Sequence, residues 1–189
     1  MAILDMREAT FCGRKTSVAP VTIALNESER DDLVCESAFA AAVAARLAAG
    51  IVKCTTGVVF VGGFDPKIQP VQAKRLTGFV SHVGPRTITN AAAYFAYRAA
   101  LWELDRPSSI EHGKALMKRF DGLPSGESIA LAGALLHQPL LLVLDRPDRL
   151  LRDAAQEAAP NAALLAVYGP GEMPAKRPNA DLAIAGAMQ

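Results

Sequence analysis

Five apolar residues without alternation, Leu140 to Leu144, run directly into Asp145 and constrain this 189-residue chain more than any other feature. A strand with one wet face alternates apolar and polar residues. An unbroken apolar run of this length is the pattern of a strand covered on both faces inside a parallel sheet. Upstream, Ile129, Ala132, Leu135 and Leu136 recur at helical spacing behind Ser125, Gly126 and Glu127. A helix is therefore predicted from about Glu127 to His137, stopped by Pro139. A helix feeding a doubly covered strand implies an α/β domain, and open α/β sheets bind ligands outside the carboxyl ends of their strands. Asp145 stands at such an end, where the metal of a bound nucleotide would sit. The plainer reading makes Asp145, Arg146 and Asp148 a polar strand exit.

The remaining elements are read coarsely. Strands are predicted at Pro20 to Leu25, Leu33 to Val34, Val58 to Val61 and Phe79 to Val80, and helices at Ser37 to Ala49 and Ile68 to Leu76. A mainly helical insert spans Thr89 to Phe120 and concentrates Tyr94, Phe95, Tyr97, Trp102 and Phe120. Length fits a single domain, 1–189. A net charge of +1 and a charged fraction of 21% favour no nucleic-acid partner. Cys12, Cys35 and Cys54 are odd in number and lack C-x-x-C spacing, so neither a disulfide framework nor a thiolate metal site is expected. His82, His112 and His137 are too scattered for a metal set. The N-terminus lacks the uncharged core of a signal peptide. The apolar windows at Ala38 to Val52 and Ala130 to Leu144 are broken by Arg46 and by His137, Gln138 and Pro139, so no membrane span is expected.

Taken together, LPSGE at Leu123 to Glu127, ALAGALLHQP after it and LLLVLDRP to Pro147 resemble the signature loop, following helix and Walker B strand of the ATP-binding cassette (ABC) ATPases. The order extends outward. Ser37 to Pro66 is similar to the first cassette helix and the hairpin after it, Gly78 to Pro85 to the Q-loop strand, ALLAVYGPGEM to the switch strand and ADLAIAGAMQ to the last strand. The resemblance implies a P-loop NTPase-like α/β fold with a mostly parallel central sheet, an antiparallel strand region and a small helical subdomain at 86–122. It also implies docking of that subdomain on a membrane permease, with Tyr94, Tyr97 and Trp102 as candidate contacts; the alternative is that these rings pack the subdomain's own core.

The departures bear on function. A phosphate-binding loop needs glycines so that backbone amides can converge on the phosphates, a lysine, and a hydroxyl for magnesium. No glycine lies between Gly13 and Gly50, and no lysine between Lys15 and Lys53. Counting back from Gly50, the resemblance puts Ala41 and Ala42 at the lysine and hydroxyl positions. It puts His82 at the Q-loop glutamine, Arg146 at the catalytic glutamate and Tyr168 at the switch histidine. A guanidinium cannot accept a proton from water, and a lone Asp145 makes a poor magnesium site. In the signature-like loop Gly126 is kept, while Pro124 brings no N–H donor.

The expectation is a catalytically inactive cassette-like subunit, with no catalytic residue and no cofactor, acting as a structural or regulatory partner. Partners would be a second copy, an intact cassette ATPase or a permease, at the cytoplasmic face of a membrane. One alternative is an ABC transporter subunit working through a composite site, to which this chain contributes its signature-like loop. Another is a small-molecule or anion binder lined by Arg146, Asp145, Tyr168 and His82.

Overall fold

The computed structural model describes residues 2–13, 17–82 and 90–172. The elements are β1 (Leu4–Thr10), β2 (Val21–Leu25), β3 (Arg30–Val34), α1 (Ala38–Ala48), β4 (Thr56–Val61), α2 (Pro70–Arg75), β5 (Thr77–Val80), α3 (Ala91–Leu101), α4 (Arg106–Arg119), α5 (Ser125–Leu135), β6 (Leu141–Asp145), α6 (Arg149–Ala158) and β7 (Ala163–Tyr168). They form an antiparallel sheet ordered β2-β1-β4 and a parallel sheet ordered β3-β7-β6-β5. The start of the 86–122 insert, Val83 to Pro85 of the Q-loop stretch and the last-strand stretch ADLAIAGAMQ lie outside the described residues.

Every residue of β6 and β7 is buried, as the unbroken apolar run requires. The alternation of side chains then divides the core. Leu141, Val143, Leu165 and Val167 face α1 and the antiparallel sheet. Leu142, Leu144, Leu164, Ala166 and Tyr168 face α5, α6 and the helical insert. Helix α1 lies between the two sheets and buries five alanines, Ala40, Ala41, Ala44, Ala45 and Ala48, together with Val43 and Leu47. Methyl groups bury little area each, so close backbone approach holds it there.

Two elements escaped the sequence reading. Strand β1 carries Asp5, Arg7 and Glu8 among its inward Leu4, Met6 and Ala9. Helix α6 begins where a strand exit was expected: Asp148 is its N-cap, accepting the Leu151 amide at 2.8 Å.

Helices α3 and α4 pack on each other and on α5. Gly113, inside α4, faces the Phe95 ring so closely that a Cβ there would stand 2.5–2.7 Å from three ring atoms. At the far end of α3, Trp102 stacks on His137 with ring centroids 4.5 Å apart, and the Arg98 guanidinium lies 5.9 Å from the centre of the indole while its Nε donates to the Gly133 carbonyl at 3.2 Å. The His137 Nε2–H donates to the Thr77 carbonyl at 3.0 Å, leaving Nδ1 buried and unpartnered.

Gly113→Ala gains about 1 kcal/mol of helix propensity and loses about 1–3 kcal/mol to overpacking against Phe95. Overpacking should win. The urea midpoint is expected to fall, and a rise would mean that Phe95 moves aside freely. Burial, reinforced by the Arg98 charge and opposed by the Thr77 hydrogen bond, pushes His137 down to about 4. Neutral His137 is thus favoured by folding. Its contribution to stability is complete above about pH 6.5 and is lost as pH falls from there towards 4. Emission from Trp102, the sole tryptophan, should be quenched with a native-state midpoint near pH 4. His137→Gln should abolish that step while far-UV circular dichroism stays unchanged.

Candidate functional site

The crevice at the carboxyl ends of the parallel strands begins with the connection from β3 to α1. Only Cys35, Glu36 and Ser37 separate the two. Ser37, extended at φ −152° and ψ 160°, caps the helix by accepting the Ala40 amide at 3.0 Å. A phosphate-binding loop places a glycine-rich turn of about six residues ahead of a lysine that opens the helix. Here the first turn is Ala38, Phe39 and Ala40, and Phe39 is 50% exposed. Ala41 and Ala42, expected at the lysine and hydroxyl positions, lie past that first turn, and Ala41 is fully buried.

Asp145 ends β6 with its side chain 1% exposed. The Arg146 Nε donates to its Oδ1 at 3.1 Å, and Nη1 of Arg46, from α1, stands 4.0 Å from Oδ2. Arg146 itself is left-handed at φ 50°, with its N–H donating to the Val167 carbonyl at 2.7 Å. Its own carbonyl accepts from the His82 Nδ1–H at 3.2 Å. The structure thus brings Asp145, Arg146 and His82 together and adds Arg46. The sequence carried one trace of Arg46, a lone cation in an apolar stretch.

Tyr168 does not join them. Its ring points to the opposite face of the sheet, because residues paired across parallel strands share a face and Asp145 pairs with Val167. Burial, and after it the charge of Asp32, pushes its hydroxyl up to about 12. On that face Arg152 of α6 donates to Asp32 Oδ2 at 2.8 Å, with both side chains under 10% exposed. Desolvation raises the Asp32 carboxyl and the Arg152 charge opposes it. A single crevice lined by Asp145, Arg146, His82 and Tyr168 is therefore absent among the described residues: the first three engage one another, and Tyr168 lies behind the sheet. A cavity of about 330 Å³ lies elsewhere, bordered by Leu116, Leu135, Leu140 and Ala158.

The signature-like loop sits at the N-terminus of α5. Pro124 occupies the cap position with no side-chain bond, and the helical ladder starts with Ser128 N–H donating to the Pro124 carbonyl at 2.9 Å. The amides of Ser125, Gly126 and Glu127 precede that ladder. Nothing lies within 4 Å of where a Cβ on Gly126 would stand. Burial raises the Glu127 carboxyl; the charge of Asp148 raises it further and that of His82 lowers it. Leu123 is half-buried and its carbonyl accepts from the Ser128 hydroxyl at 3.4 Å.

The three candidate partner aromatics separate. Tyr94 packs inward, its ring close against Gly133, and Trp102 stacks on His137. Tyr97 alone of the three is 61% exposed, with Leu101 50% exposed one turn later. Among the described residues no helix is long and apolar enough to cross a membrane.

These residues do not fit a magnesium triphosphate held in the manner of a phosphate-binding loop. The first turn of α1 offers neither lysine nor hydroxyl, and the Asp145 carboxylate is hydrogen-bonded by Arg146 on Oδ1, with the Arg46 cation 4.0 Å from the unbonded Oδ2. No protein-family model matches the sequence. The chain is 26% identical over 145 residues to the ABC transporter ATP-binding protein NatA of Bacillus subtilis (strain 168). That match takes in 69% of this chain and 59% of the relative, so the chain spans less than two thirds of its length. Among solved structures, an ATP-binding subunit of an ABC transporter superposes with a TM-score of 0.68 at 16% identity, covering 88% of this chain and 79% of that one. CbiO1 of Clostridium perfringens, part of the ABC transporter complex CbiONQ, gives 0.63 at 15% identity, covering 88% and 78%. The chain thus carries the α/β fold of the ABC transporter ATP-binding subunits, and its sequence is similar to one curated ABC transporter ATP-binding protein.

Proposed function

We propose that the chain is a cassette subunit of an ABC transporter-type assembly that works through a composite site. It lends the loop Leu123 to Glu127 to a nucleotide held by an intact cassette partner, while its own crevice does not hydrolyse ATP. The observation that carries this reading is the contrast between two helix N-termini. That of α1 follows a three-residue connection and is capped by Ser37. That of α5 is uncapped, with open space at Gly126. Free amides at a helix N-terminus favour an anion. The silent crevice follows from chemistry: Arg146, at the position of the water-activating carboxylate, offers no proton acceptor.

The exposed pair Tyr97 and Leu101 fits a protein partner. A permease at the cytoplasmic face of the membrane is the partner that the family relation supplies. Pro124 favours a second reading, a purely structural or regulatory pseudo-ATPase, because proline takes one N–H donor out of the loop.

Both readings predict that the isolated chain gives no heat of binding with micromolar magnesium ATP in titration calorimetry, and micromolar affinity would sink both. Co-expression with an intact cassette subunit separates them. Gly126 has a helical φ and open surroundings, so Gly126→Glu should fold normally. In the composite reading it should lower turnover of the purified complex on the order of a hundredfold, the size expected when aligned donors at a charged transition state are blocked. Unchanged turnover in an assembled complex would select the structural role.

A further inference from the structure

We infer that Arg46 and Arg146 form a built-in cation pair that takes the place of a divalent metal at Asp145, excluding metal ions and holding the crevice end of the sheet closed without a ligand. This deepens the reading of the crevice as catalytically silent and rests on it. An acid whose side chain is 1% exposed cannot stay charged without a counter-ion. Here the Arg146 Nε donates to Oδ1 at 3.1 Å, while Oδ2, which has no hydrogen-bond partner among the described residues, has the Arg46 Nη1 cation 4.0 Å away.

Both cations are anchored. Arg46 Nη1 donates to the Ala42 carbonyl one turn back at 2.7 Å. Arg146 is fixed by its amide on Val167 and its carbonyl on His82. The arrangement therefore ties α1 to the ends of β5, β6 and β7. Magnesium requires about six oxygens near 2.0–2.1 Å in octahedral array. At Asp145 the Arg146 guanidinium holds Oδ1 and the Arg46 guanidinium stands 4.0 Å from Oδ2; guanidinium nitrogens cannot ligate and repel a second cation. The first turn of α1 offers Ala38, Phe39 and Ala40, with no oxygen-bearing side chain.

The test uses the full chain, thermal unfolding and manganese(II) as a paramagnetic probe. In the wild type, millimolar manganese(II) should leave Tm unmoved and show no bound signal. Asp145→Asn, which strands two arginines, should lower Tm by about 5 °C or more. Arg46→Gln should lower it less, since Arg46 is 36% exposed, and the double variant should lose less than the two single losses together. A manganese-induced rise in wild-type Tm that disappears in Asp145→Asn would overturn the inference. So would an Asp145→Asn protein as stable as the wild type. Should Asp145→Asn fail to fold, Arg46→Gln and Arg146→Gln carry the test: lower Tm in both supports the pair, and unchanged Tm in both overturns it. These readouts need neither a partner nor turnover, so they stand or fall separately from the composite site.

Discussion

A carboxylate buried at the end of a fully covered strand cannot be left alone, and the crevice end of this domain is arranged around that constraint. A pair of unit charges 4 Å apart attracts by roughly 4 kcal/mol at an effective dielectric of 20, while each buried ion forfeits several kcal/mol of hydration. The balance for Asp145 and its arginines is close to neutral. What matters is the asymmetry: with the partners removed, the desolvation of the acid stands uncompensated. Arg146 carries the larger share, being 17% exposed and hydrogen-bonded. The contribution of Arg46 is reduced by water around its half-exposed guanidinium.

The same constraint connects local conformation to packing. Arg146 can turn back on the residue before it only because the chain leaves β6 in the left-handed region, a strained choice for a side chain with a Cβ. The Val167 carbonyl and His82 hold that turn from two neighbouring strand ends. Arg46 reaches the acid because α1 lies close to the sheet, and the face of α1 turned inward is mostly alanine, with Val43 and Leu47 as its larger side chains. Larger side chains there would bury more area and also move the guanidinium away from Asp145.

The sequence was most legible where burial leaves a one-dimensional trace. The run Leu140 to Leu144 announced β6 to within one residue, and the alanine-rich stretch announced α1. Strand β1 left no such trace, because Asp5, Arg7 and Glu8 interrupt its inward residues. Helix α6 was hidden by its own amphipathicity: Arg149, Arg152, Asp153 and Glu157 dominate its composition, and the core takes Leu151, Arg152 and Ala155. At the site, Asp145 and Arg146 were readable from position alone. Arg46 was not, since α1 and the end of β6 meet only through the fold. Tyr168 was misplaced for a related reason: motif order fixes which strand end a residue occupies, whereas strand parity decides which face its side chain takes.

Two of the three acids of the parallel sheet complete the picture. Asp32 on β3 points to one face and is met by Arg152 of α6; Asp145 on β6 points to the other and is met by Arg46 of α1. The sheet is thereby gripped from both sides, each helix supplying an arginine to a strand that it does not directly extend. Every buried tie raises the free energy of any arrangement that breaks it. At the N-terminus of α5 the molecule shows the reverse, an uncapped turn with empty space around Gly126. Buried ion pairs thus tie helices to both faces of the parallel sheet, while the terminus of α5 is left without a side-chain cap.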